Sequence, residues 1–170
     1  MLRPTYPCLY SYEDLLSNAC FVKFKSKEQI EKYGRTYSKD TIEWWAKQSE
    51  YVRKISLDPS PDDVPVTTGI QYLYDYVNRY PNADTQTFWM RGSLDQVCAY
   101  SLLKALDLEP FTRYSNWRDL RTAIDILYGS TNGYCDIDEP SFNRDLVIKH
   151  HPAHDVCLDV MMLLHGRVNA

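Results

Sequence analysis

His150 and Asp155 stand five residues apart, just ahead of an apolar run formed by Val156-Cys157-Leu158 and Val160 to Leu164. Pro152 between them suits the first position of a helix, where its missing N–H is not needed. His150 and His151 then lie on the approach to that helix. Asp155 falls in its first turn, where the helix dipole favours a carboxylate. An imidazole and a carboxylate at one helix entrance can serve as a general base beside a metal ligand. The same stretch also reads as a capped helix start with surface histidines. Asp95 sits where a β-rich stretch gives way to a helix; a carboxylate there faces a cleft at the sheet's edge, or simply caps the helix. Arg118 and Arg121, three apart on a helix, share a face and can grip phosphate or pair with Asp119 and Asp125. Trp44 and Trp45 are adjacent on another helix, about 100° apart. Both bury only if that helix lies in a groove; otherwise one ring lines a substrate channel.

The elements that must carry these residues follow from pattern. Residues 1–11 are irregular because of Pro4 and Pro7, and residues 12–170 make the domain. Cys20 to Lys25 alternates like a half-buried strand, with Lys23 and Lys25 on one face. Asp40-Thr41-Ile42-Glu43 resembles a capping box that opens a helix over 41–49. The prolines and aspartates of 58–65 make a loop. Ile70, Leu73, Tyr74 and Val77 predict a helix over 68–80. A strand is expected over 85–90, a helix over 96–106, a short strand over 111–115 and a helix opening at Trp117. The last helix covers 152–165, with Asp155 and Asp159 one turn apart. Helices alternating with strands predict an α/β fold, short of strands for an open sheet.

A chain of 170 residues with 44% hydrophobic and 25% charged positions suits one soluble domain with a real core. Its formal charge of −4 requires any contact with nucleic acid to be a local patch. Five cysteines without a CxxC pair argue against a disulfide framework or a structural zinc, and for a reducing, cytoplasmic setting. No apolar run approaches the ~20 residues of a membrane span.

Two carboxylates at helix entrances and a histidine five residues before the second suggest two-metal phosphodiester chemistry, with ions about 3.5–4 Å apart. Four landmarks then resemble, in order and spacing, the DEDDh 3′–5′ exonucleases of the phage exonuclease A type. They are Thr41-Ile42-Glu43-Trp44-Trp45-Ala46-Lys47-Gln48-Ser49, Arg91-Gly92-Ser93-Leu94-Asp95-Gln96, Arg118-Asp119-Leu120-Arg121-Thr122, and His150-x-x-x-x-Asp155. The resemblance runs from about Tyr12 to Gly166. It implies an RNase H-like fold, Mg²⁺ or Mn²⁺, and removal of nucleotides from the 3′ end of DNA or RNA. It makes His150 the general base and Asp95 and Asp155 metal ligands. Arg91, Arg118 and Arg121 are candidate contacts to the strand, with Trp45 as a stacking ring.

The family's Asp-x-Glu on its first strand has no counterpart in this sequence; Glu13-Asp14 is adjacent, not spaced, and a strand would send its members to opposite faces. The expectation is therefore an N-terminally truncated RNase H-like domain with a reduced sheet, whose metal site lacks two carboxylates unless an upstream segment or a companion chain supplies them. The alternative is an inactive nuclease-fold module that binds single-stranded nucleic acid or a protein partner.

Overall fold

Ser11 opens the fold. Its hydroxyl accepts from the Asp14 N–H, and the Asp14 carboxylate accepts from the Ser11 N–H, a reciprocal cap that starts α1 (Tyr12–Ser17). A computed structural model describes residues 10–79 and 86–168, so residues 1–9 and the end of the helix expected over 68–80 lie outside the described residues. After α1 come α2 (Ser26–Glu31), α3 (Lys39–Ala46), α4 (Glu50–Ser56), α5 (Val66–Asn78), β1 (Phe88–Met90), α6 (Leu94–Ala105), β2 (Trp117–Asp119), α7 (Leu120–Tyr128), β3 (Asp136–Ile137), α8 (Pro152–His165) and β4 (Gly166–Arg167). β1 and β2 pair in parallel, with Phe88 opposite Trp117 and Met90 opposite Asp119; β3 and β4 pair antiparallel. This mixture of helices and small sheets is compatible with the α/β class expected.

Three apolar clusters hold the elements. Tyr12 and Leu15 of α1 pack on Cys157 and Met161 of α8. Leu120 and Ile124 of α7 meet Met162 of α8 beside Cys135. Val66 and Ile70 of α5 pack on Leu102 and Leu103 of α6. α8 is thus shared by two clusters, and a shift of it disturbs both. Because a densely packed interior transmits such a shift, the helix that carries Asp155 is among the most constrained parts of the molecule.

Several expectations are corrected. Cys20 to Lys25 forms no strand: Phe24 makes one isolated bridge to Val64 before Ser26 starts α2. Lys23 does not line an open face. Its ammonium donates to the carbonyls of Lys54 and Asp58 and pairs with buried Asp63 at 3.4 Å. α3 is capped by Ser38, not Asp40, and ends at Ala46. The chain breaks there because the Arg53 guanidinium donates to the Gln48 carbonyl at 2.8 Å while Ser49 caps a new helix, α4. Trp44 and Trp45 do not both bury: Trp44 is exposed and Trp45 half-buried, edge to face against it. No strand forms over 111–115; the strand is Trp117–Asp119, which the sequence pattern assigned to a helix. Asp119 then caps α7, accepting from the Thr122 N–H at 2.8 Å.

Candidate active site

The approach to α8 is held by its neighbours at several points. His151 is the N-cap, its Nδ1 accepting from the Ala153 N–H at 3.2 Å. His154 is buried, and its Nδ1 faces the Tyr12 hydroxyl at 2.7 Å and the Ile148 N–H at 3.4 Å. Two donors on one nitrogen assign Nδ1 as the acceptor and put the ring proton on Nε2. Burial pushes the pKa of both His151 and His154 below the ordinary imidazole value, so both favour the neutral form that these bonds need.

Between them and the preceding loop lies His150, whose φ of +68° is left-handed. A side chain there is strained unless its surroundings hold it. Asp155 accepts from the His150 N–H at 3.1 Å, and the Ser56 hydroxyl of α4 donates to the His150 carbonyl at 3.1 Å. Trp44 of α3 sets its ring edge-to-face against the imidazole, centroids 4.9 Å apart. The first and last sequence landmarks therefore meet in space. The ring that stacks edge-to-face on His150 is Trp44, and Trp45 packs on Trp44.

One turn past Asp155, Asp159 is paired with Arg91, whose Nη2 lies on one carboxylate oxygen and whose Nε is 3.4 Å from the other. The same guanidinium donates to the Gly133 carbonyl at 2.7 Å and lies over the Tyr134 ring at 4.2 Å. Arg91 is thus committed to internal partners in this structure rather than displayed to a strand. Burial pushes the Asp159 pKa up, Arg91 pulls it down, and Asp155 and Asp95 both add to the rise. The three carboxylates of α6 and α8 are therefore electrostatic neighbours, although Asp95 itself is exposed in the first turn of α6.

Neighbourhood is not coordination. Among the described residues, no group of three or more His, Cys, Asp or Glu side chains is placed to hold a metal ion. The carboxylates among the described residues do not by themselves fit Mg²⁺ or Mn²⁺, which want several hard oxygen ligands in one place.

Arg118 and Arg121 do not share a helix face. Arg118 is on β2, exposed, its Nη1 donating to the carbonyls of Ser115 and Trp117 at 2.6 and 2.8 Å. Arg121 lies in the first turn of α7, exposed, with its stem against Gly133. Four residues that position the site carried little sequence signal. Ser56, Tyr12 and His154 act across long sequence separations, and Asp119 looked like a helix-interior acid. The Ser11 and Asp14 spacing that starts α1 was readable as a capping box.

A histidine tied to a helix-entrance carboxylate, with further carboxylates and arginines around it, is equipment suited to hydrolysing phosphodiesters, and the comparisons agree. Residues 14–163 match the family described as the 3′–5′ exoribonuclease Rv2179c-like domain, and the chain belongs to that family. It is also 30% identical over 181 aligned positions to the exodeoxyribonuclease of Enterobacteria phage T4, an alignment that spans 96% of this chain and 77% of that relative. No solved structure matches the chain. No helix among the described residues is long and apolar enough to cross a membrane.

Proposed function

We propose that the chain serves the 3′–5′ exonucleolytic hydrolysis of DNA or RNA, on an RNase H-like framework of the DEDDh type. His150 is the general base, and Asp95 and Asp155 are ligands of Mg²⁺ or Mn²⁺. Arg118, Arg121 and the Trp44–Trp45 pair face the strand. The observation that carries the reading is the tie between His150 and Asp155, which fixes a strained backbone inside the stretch matched to an exonuclease family.

A base acts only if its ring is held within hydrogen-bond reach of the attacking water. Asp155 and Ser56 hold the His150 main chain, and Trp44 restricts its imidazole. The donor set among the described residues supports no step through a metal ion by itself. The remaining acidic ligands are assigned to an upstream segment or a companion chain carrying Asp-x-Glu.

The test is release of mononucleotides from a 3′-labelled oligonucleotide with Mn²⁺, for this chain alone and joined to such a segment. Cleavage is expected in the joined form, and His150→Ala is expected to lower it by about 10²–10⁴-fold, the usual worth of a positioned acid–base group. Cleavage indifferent to His150→Ala sinks the assignment of the base. No cleavage in either form sinks the enzyme reading. The lack of a metal-holding group among the described residues then favours the second reading, a module that binds single-stranded nucleic acid without cutting, whose binding persists in EDTA and weakens with salt.

A further inference from the structure

Arg91 faces two ways. One side of its guanidinium is paired with Asp159, and the other lies over Tyr134. Tyr134, half exposed, forms a wall of a cavity of about 760 Å³ between α8 and the β3–β4 ladder. That volume falls within the ~300–1,000 Å³ typical of small-ligand sites. Ile137, Leu158 and Met162 give it an apolar lining, and Arg144 and Arg167 stand on it as well.

Both arginines use the same carboxylate. Arg144 is 3.0 Å and Arg167 3.6 Å from Asp136, and their side chains are 61% and 58% exposed. Two guanidiniums against one carboxylate leave a net positive charge at this cavity, in a chain whose overall charge is −4. Exposed ion pairs of this kind are weak, and a phosphate with a fuller negative charge and three acceptor oxygens competes well with Asp136 for planar guanidinium forks. Apolar lining, an aromatic wall and paired cations are together the complement of one nucleotide.

We propose that this cavity is a binding site for a nucleoside 5′-phosphate. The base lies on the apolar lining beside Tyr134, and the phosphate lies on Arg144 and Arg167 with Asp136 turned aside. The ligand is either a free mononucleotide or the residue at the 3′ end of a strand. The nuclease reading supports the choice of a nucleotide, and α8 links the two regions, because Leu158 and Met162 line the cavity while Asp155 and Asp159 lie on the same helix.

Calorimetric titration of the chain with 5′-AMP, 5′-dAMP, adenosine and inorganic phosphate at low salt tests this. Saturable 5′-AMP or 5′-dAMP binding is expected, with adenosine and phosphate each at least about tenfold weaker, since each keeps only half of the contacts. Arg144→Ala and Arg167→Ala are each expected to weaken binding about tenfold, and Arg144→Lys less, because lysine keeps the charge and loses the fork. Both arginines are largely exposed, so these variants are expected to melt as the parent does. Tyr134→Ala gives an independent arm with a several-fold loss.

A short oligonucleotide that binds more tightly than 5′-AMP with the same dependence on both arginines assigns the strand's terminal residue; one that binds no more tightly assigns the free nucleotide. Absence of saturable binding at millimolar nucleotide, or binding unmoved by the arginine variants, overturns the proposal. Binding is read without turnover. Nucleotide binding with no hydrolysis, by the chain alone or joined to the Asp-x-Glu segment, therefore upholds the cavity and overturns the nuclease reading, and hydrolysis with no such binding does the reverse.

Discussion

Arg91 shows how one residue type supports two chemistries that a sequence does not separate. Its place in Arg91-Gly92-Ser93-Leu94-Asp95 suits phosphate binding, yet its guanidinium is held by Asp159, the Gly133 carbonyl and the Tyr134 ring. Removing it leaves Asp159 partly buried without its counter-ion. Breaking a fully buried pair costs about 3–5 kcal/mol; with the two side chains 16% and 23% exposed, a loss of about 2–3 kcal/mol is expected for Arg91→Ala in urea unfolding. An arginine that served the strand alone would leave stability unchanged on removal, so unaltered unfolding contradicts its structural role. Asp119 is the second such residue. It accepts from the Thr122 hydroxyl and N–H and from the Gly92 N–H at 2.8 Å, so it joins the start of α7 to the end of β1. The Thr122 hydroxyl, ahead of the backbone bonds, holds its carboxyl below the ordinary value. A carboxyl with a depressed folded pKa stabilises fully above its unfolded value near 3.9 and loses that contribution as pH falls through the folded pKa. Asp119→Ala is therefore expected to cost about 1–2 kcal/mol at pH 7, as the loss of a helix cap does. The difference from the parent should shrink below about pH 4; a constant difference down to pH 2 in acid titrations of stability contradicts this.

At the scale of elements, α5 depends on a close approach. A Cβ at Gly69 would meet the Phe24 ring and come within 2.7 Å of the Val22 side chain. The segment expected to be a strand thus packs its Val22 and Phe24 side chains against a glycine of α5. Gly69→Ala is expected to destabilise by about 1–3 kcal/mol through overpacking, despite alanine's better helix propensity. A stabilised variant in thermal unfolding would mean that Phe24 gives way. Periodicity located α5, which buries Val66 and Ile70, and the proline before an apolar run located α8, which buries Cys157, Met161 and Met162. Periodicity placed Trp117 in the helix that follows, because three residues of strand are too short to show a period of two, and pairing with Phe88 to Met90 decides the matter. It missed the break between α3 and α4, which rests on Arg53 reaching back to the Gln48 carbonyl. The candidate site divides in the same way. His150 and Asp155 were readable because they are local to one helix entrance. Ser56, Trp44 and Tyr12 were not readable as partners of that entrance, because nothing in a linear pattern reports which distant segment supplies a hydroxyl or a ring.

At the scale of the molecule, a chain with a formal charge of −4 in a nuclease family must meet a polyanion through a few local cations. Two exposed arginines, Arg118 in the β1–β2 ladder and Arg121 in the first turn of α7, are the contacts proposed for the strand. Arg118 is opposite Trp89 in the ladder, and Arg121 is three residues on, in α7. Each phosphate neutralised on a single strand contributes about −0.7 to the slope of log K against log salt. Two such contacts predict a slope of about −1.4 for an oligonucleotide bound in EDTA, and Arg118→Ala or Arg121→Ala should each reduce its magnitude by about 0.7. Their effect should be nearly uniform across sequences, since phosphate contacts position a strand without reading its bases. Fluorescence anisotropy over a series of salt concentrations measures both quantities. A slope several times steeper would require a larger basic surface than these two residues provide. A slope unmoved by both substitutions would place the strand elsewhere, with the Arg144 and Arg167 pair at the cavity as the next contacts to remove. The arginines of the ladder and those of the cavity lie in separate elements, so their single and double variants should combine additively in slope unless one strand spans both sites at once.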